Sequence, residues 1–257
     1  MNLQNLLSQV RRACEKRNMI SDGDKVAVGL SGGKDSLALL TALARFQKFS
    51  PKRFELAAVT VDLGFPKSLS EKETAKSKSR KKADPFLPLK EYCKSLSVPF
   101  YIIPSNIYSV VFEIRKEKNP CSLCSKMRRG ILNTWLKENN FTKLALGHHA
   151  DDLVETMLLS LFYEGRLSTF QPVSYMSQSS ITLIRPLIYV YEKDLAAFSK
   201  TLPVMKNPCP ANGGTERESM KNLIKSICKD IPIAKDRMFS ALTHPERNNL
   251  WEVLEKH

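Results

Sequence analysis

Apolar residues recur along the first 46 positions in two different periods. Leu3, Leu6, Leu7, Val10 and Cys14 lie at helical spacing, which predicts a helix over residues 3–17 that packs on the core ahead of the first strand. Lys25-Val26-Ala27-Val28-Gly29-Leu30 is a short continuous apolar run, the pattern of a strand buried on both faces. Helical spacing resumes at Leu37, Leu39, Leu40 and Leu43 within residues 36–46. The strand and this second helix are joined by a turn with two glycines.

The same alternation continues. Strands are expected from Phe54 to Val61, ending at Asp62, and at Pro99–Ile103, Lys143–Leu146 and Ile181–Ile184. Helices fill the intervals, one of them Glu192–Lys200, and the tail from Thr215 onward is helical and basic. Strands alternating with helices predict an α/β fold, a parallel sheet flanked by helices and built from βαβ units. In such sheets ligands sit at the carboxyl ends of strands, where Ser31, Asp62 and Gly147 fall. There is no internal repeat.

With 257 residues, 42% of them hydrophobic, the chain has material for one substantial core, and one domain over 1–257 is expected. No stretch approaches the roughly 18 apolar residues of a membrane span, and the start lacks a signal-peptide apolar run, so a cytoplasmic protein with no membrane contact is expected. In a reducing compartment the six cysteines are poor disulfide candidates, and clustered ones call for a metal or redox explanation.

Charge narrows the partner. Forty Lys and Arg against 26 Asp and Glu give a net charge of +14, an excess that attracts polyanions and makes nucleic acid the leading partner class. The plain alternative is that it serves solubility. Seven basic residues against Glu71 and Glu73 crowd positions 67–82 with almost no apolar side chains. Such a segment buries too little to offset its ordering entropy, so it is expected as a mobile insertion, either an RNA-facing arm or a solvated loop.

The glycine turn carries the first chemistry. In Ser31-Gly32-Gly33-Lys34-Asp35-Ser36 a strand passes into a helix start, where backbone N–H groups at the positive end of the helix dipole suit phosphate oxygens. Ser31 and Ser36 offer hydroxyl donors, Lys34 a positive charge, and Asp35 a ligand for Mg²⁺ or a group that shapes the loop. The spacing is not that of a Walker A loop, G-x-x-x-x-G-K-S/T, which supports attack at the γ-phosphate. Further on, Gly147-His148-His149-Ala150-Asp151-Asp152 follows the strand at 143–146. Adjacent carboxylates at a helix start bind Mg²⁺ or steer a proton; for Asp151 alone the alternative is a simple helix cap.

Cys121 and Cys124 form a C-x-x-C ahead of a basic stretch with Lys126, Arg128 and Arg129. Structural zinc needs four ligands, and the remaining cysteine beside turn-forming residues is Cys209, in Asn207-Pro208-Cys209-Pro210. Three thiolates leave one coordination position open, as in a 4Fe-4S cluster with one iron free to carry sulfur. Cys14, Cys93 and Cys228 lie in helical patterns as ordinary thiols. Cys228 is a candidate fourth ligand.

The loop resembles S-G-G-x-D-S, the signature of the PP-loop ATP pyrophosphatase superfamily. With C-S-L-C-S-K-M-R-R-G-I-L at 121–132, L-G-H-H-A-D-D at 146–152, R-P-L at 185–187 and P-C at 208–209, the chain resembles the tRNA 2-thiocytidine biosynthesis family within it. The resemblance implies a Rossmann-like PP-loop fold and thiolation of a cytidine in the tRNA anticodon loop, using ATP, Mg²⁺ and a 4Fe-4S cluster, with sulfur from a cysteine desulfurase. It places the pyrophosphate on residues 31–36, the nucleotide near Asp62, Gly147 and His148, catalytic work on Lys34, Asp35, Asp151 and Asp152, and the cluster on Cys121, Cys124 and Cys209. Arg128 and Arg129 become candidate grips on RNA phosphates, with a solvated helix face as the alternative. Two departures stand out: Asn212 where the family has a second cysteine, and the insertion at 67–82. The rival readings are a 2-thiouridine-forming relative and a non-catalytic zinc-containing RNA-binding protein. An isologous homodimer is the default assembly.

Overall fold

Val26, Ala27 and Val28 are fully buried because β1 (Lys25–Gly29) is the interior strand that the apolar run demands. The computed structural model describes residues 1–66, 84–206, 208–211 and 216–250; the basic insertion at 67–82 and position 212 lie outside the described residues. On one side β1 pairs in parallel with β2 (Glu55–Asp62), which pairs in parallel with β3 (Phe100–Pro104). On its other side it pairs in parallel with β4 (Lys143–Ala145). Beyond β4 comes β6 (Ile181–Ile184), also parallel, and β5 (Val173–Met176) closes that edge antiparallel to β6. The strand order is β3-β2-β1-β4-β6-β5.

The expected parallel sheet flanked by helices is therefore present. Its antiparallel edge was not foreseen: β5 has only four residues, follows Pro172, and leaves Tyr175 67% exposed, too little apolar alternation to mark a strand. Chain order gives the sheet its functional geometry. The chain steps outward from β1 through β2 to β3, then returns to β1's other flank as β4. β1 and β4 thus flank the point where the strand order reverses, the place where open α/β sheets bind ligands.

Helices cover the sheet. α1 (Leu3–Lys16) starts at Asn2, whose side chain accepts from the Asn5 amide at 2.9 Å, and it buries Leu6, Val10, Ala13 and Cys14. α2 (Lys34–Phe46) is buried along almost its whole length. α3 (Leu87–Ser95) precedes β3. α4 (Pro120–Glu138) lays Leu132 and Leu136 on a cluster formed by Ala27, Val59, Ile103, Leu144 and Ile181. Burial pushes the Cys14 thiol up to about 12 and Cys93 to about 11, as expected of inert structural thiols.

The chain forms two compact units, Met1–His149 with Gln171–Asn212, and Ala150–Phe170 with Gly213–His257. The first holds the whole sheet and α6 (Glu192–Phe198). In the second, α5 (Ala150–Glu164) packs against α7 (Glu216–Asp230) and α8 (Ala234–Thr243) through Val154, Met157, Leu158, Met220 and Ile224. Cys228 lies half-buried against that apolar cluster. Among the described residues no helix is long and apolar enough to cross a membrane.

Leu144, at the centre of β4, is 1% exposed. Leu144→Ala is expected to lower unfolding free energy by about 2–5 kcal/mol, whereas Tyr175→Ala on the open edge should stay within about 0.5 kcal/mol of wild type. Urea denaturation followed by circular dichroism checks both.

Candidate active site

The glycine loop at 31–36 is fixed at both ends. Where β1 runs out, Leu30 N–H donates to the Val59 carbonyl at 2.8 Å and the Thr60 hydroxyl donates to the Leu30 carbonyl. Gly32 then takes φ +79°, the left-handed region open to glycine. Ser36 Oγ donates to the Gly33 carbonyl at 2.9 Å and accepts from Ser31 N–H at 3.2 Å. Each hydroxyl has one proton, so at the 3.1 Å contact between the two serines Ser31 is the donor. Both protons are therefore engaged inside the loop. The two serines thus shape the turn, and the Gly33 amide also donates to Ser31 Oγ at 3.3 Å.

A second glycine brings β4 to the same place. A Cβ on Gly147 would lie 3.1 Å from the Asp35 carbonyl carbon and 3.2 Å from the Ser36 nitrogen. The exit of β4 thus rests directly on the first turn of α2. His148 follows half-buried and His149 is buried. At the neighbouring strand end, Asp62 Oδ1 accepts from Gly64 N–H at 3.0 Å, and its carbonyl accepts from Ser105 Oγ at 2.6 Å. Its carboxylate shapes the turn that leaves β2.

Lys34 is held by two carboxylates. Its Nζ stands 3.0 Å from both Asp35 oxygens and 3.1 Å from Glu192 Oε1. Burial pulls its pKa down, but the charge of Asp35 and the bonds to Asp35 and Glu192 outweigh this and hold it above the ordinary value. Glu192, the first residue of α6, was not singled out in the sequence; 158 positions separate the pair. Met205 is a second unforeseen neighbour: its N–H donates to the Gly32 carbonyl at 2.9 Å.

The paired aspartates lie in the second unit, and each has a basic partner. Lys235 Nζ is 2.6 Å from Asp151 Oδ1. Arg217 spans Asp152 Oδ1 and Glu155 Oε2, both at 3.1 Å, and Lys221 stands 3.9 Å from Glu155. Asp151 sits inside the first turn of α5, which begins at Ala150, so its carboxylate serves the ion pair and the helix dipole more than an end cap. Glu155 is 1% exposed, and burial above all pushes its pKa up to about 7, with Asp152 adding and Lys221 and Arg217 opposing.

Cys121 and Cys124 are one turn apart at the start of α4. Burial raises the Cys124 pKa, Arg128 opposes it, and Cys209 and Cys121 raise it further. Cys124 thus senses both other thiols, and all three belong to the first unit. Among the described residues no three Cys, His, Asp or Glu side chains converge as a formed metal site. Arg128 and Arg129 are exposed on α4. Buried Arg185, from the R-P-L stretch, donates to the Gln171 carbonyl and to Ser174 Oγ. Burial, then the charge of Arg129, draws its pKa down to about 10.

Comparison with known proteins meets this geometry. A family model described as a PP-loop domain matches residues 3–205. A tRNA-cytidine(32) 2-sulfurtransferase of Marinobacter nauticus is 37% identical over 252 residues, 95% of this chain and 77% of the relative. One of Pseudomonas aeruginosa is 39% identical over 253 residues, 94% and 85% of the two chains. The chain belongs to the tRNA 2-thiocytidine biosynthesis family of PP-loop proteins. In fold, this family member is similar to the U34-tRNA thiolase NcsA of Methanococcus maripaludis, solved with its 4Fe-4S cluster, at TM-score 0.71 and 24% identity over 96% of this chain and 79% of that one.

The Glu155 shift makes a pH prediction. An unfolded glutamate titrates near 4.5 and this one near 7 when folded, so the stabilisation from its neutral form is full below about 4.5 and lost as pH rises through about 7. Glu155→Gln should remove that loss. Urea midpoints of wild type and variant, measured from pH 4.5 to 8 without added metal, are expected to diverge in the variant's favour as pH rises; parallel curves would refute it.

Proposed function

We propose that this chain is an ATP-dependent tRNA sulfurtransferase that replaces the C2 oxygen of an anticodon-loop cytidine with sulfur. The observation that carries this is the presence in one compact unit of a glycine loop at a helix start and of Cys121, Cys124 and Cys209, with Cys124 sensing both other thiols. The relatives named for cytidine 32 of tRNA support the substrate, and the net charge of +14 suits a polyanion.

In this reading the C2 oxygen attacks the α-phosphate of ATP, pyrophosphate leaves, and sulfur then displaces AMP. First-turn amides of α2 and Lys34 stabilise the negative charge that gathers on the departing pyrophosphate. Lys34 stays protonated because its pKa is held high, so it serves as a fixed charge. Arg128 and Arg129, exposed on the helix that carries two of the cysteines, hold tRNA phosphates and present the base.

The donor sets separate the two metals. Cys121, Cys124 and Cys209 are soft thiolate ligands without a carboxylate, which suits a 4Fe-4S cluster and not Mg²⁺. Arg128 favours the thiolate of Cys124. Bound there, a cluster would supply a site for sulfide-level sulfur, which a cysteine desulfurase's persulfide yields when a thiol reductant provides two electrons. For Mg²⁺ the first unit offers Asp35 and the second Asp151 and Asp152, each facing an ammonium or guanidinium that the ion must displace.

Mass spectrometry of tRNA nucleosides from cells with and without the gene tests the reading. Loss of 2-thiocytidine is expected; an unchanged set of thiolated nucleosides would overturn it. Cys209→Ala should abolish thiolation while tRNA affinity persists, and Lys34→Ala should slow it on the order of a hundredfold.

A further inference from the structure

We infer that Met205 is a positioning residue that couples nucleotide on the phosphate loop to the placement of Cys209. Its backbone and side chain both bear on Gly32. The Met205 N–H donates to the Gly32 carbonyl at 2.9 Å, and its Sδ, Cβ and Cγ lie 3.0, 3.2 and 3.3 Å from where a Cβ on Gly32 would stand. The side chain therefore lies flat on the one loop residue with φ +79°, in space that any other residue would fill.

The run that contains Met205 is anchored upstream. Leu202 N–H donates to the Ser199 carbonyl and Val204 N–H to the Leu202 carbonyl, which ties it to the end of α6. That helix begins with Glu192, the partner of Lys34. One continuous stretch thus grips the loop twice, at Lys34 through Glu192 and at Gly32 through Met205.

Downstream, Cys209 is four residues away, a span of at most about 14 Å even when fully extended. Phosphate oxygens that engage the loop amides reorient peptide planes at Gly32 and Gly33, and the Gly32 plane carries the carbonyl that Met205 binds. A shift there passes to the Cys209 segment, and by linkage the placement of Cys209 acts back on nucleotide affinity. The inference rests on the part of the proposed function in which the loop binds ATP; it does not require sulfur transfer.

The test uses the full-length chain purified without its metal, with or without MgATP. Iodoacetamide alkylation of Cys209 is followed by peptide mass spectrometry, and ATP binding is measured in the same samples. ATP should change the Cys209 rate by about fivefold or more in wild type and in the volume-conserving Met205→Leu. The effect should shrink in Met205→Val and vanish in Met205→Ala while ATP still binds. Should the alanine variant not fold, the Leu and Val variants carry the comparison. Wild type that binds ATP with no change at Cys209, or an equal effect across the series, overturns the inference. Absent ATP binding in wild type would instead defeat the proposed function.

Discussion

Between the carboxyl ends of β1 and β4 two connections diverge, and their close approach there sets everything else at the site. Gly147 lets the exit of β4 rest on the first turn of α2, where a Cβ would meet backbone at 3.1–3.3 Å. The contact is backbone on backbone, so no side-chain rearrangement relieves it. It fixes the direction in which the α2 amides point, and an anion site made of amides is only as well placed as the helix that carries them. The serine hydroxyls reinforce this by closing the loop on itself.

Charge follows from that geometry. Lys34 between Asp35 and Glu192 leaves the loop with one cation and two carboxylates. In the second unit three acidic side chains have basic partners: Asp151 faces Lys235, while Asp152 and Glu155 share Arg217. Burial of Glu155 without full compensation keeps its proton affinity high. The thiols bring a different, soft donor set, with Arg128 favouring the Cys124 thiolate.

Features governed by neighbours in sequence were legible. The strand, the two glycines and the helix start of residues 25–46 follow from local pattern, and Cys121 and Cys124 from their spacing. What escaped depends on residues far apart. Glu192 meets Lys34 across 158 positions, Lys235 meets Asp151 across 84, and Arg217 meets Asp152 across 65; nothing in the composition around a glutamate or an arginine marks which partner it will find. β5 was missed because four half-exposed residues on a sheet edge carry almost no period. Ser31 and Ser36 were recognised as a pair, yet the engagement of their protons inside the loop became visible only from hydrogen-bond geometry.

The proposed attack on the α-phosphate requires the oxygen leaving cytidine to depart on AMP. Transcribed tRNA carrying ¹⁸O at C2 of the target cytidine, incubated with the metal-loaded enzyme, ATP and a sulfur source, tests it in one measurement. The account predicts one ¹⁸O in the AMP phosphate for each thiolated base. Label found in water or pyrophosphate, or ADP as the nucleotide product, would contradict attack at the α-phosphate.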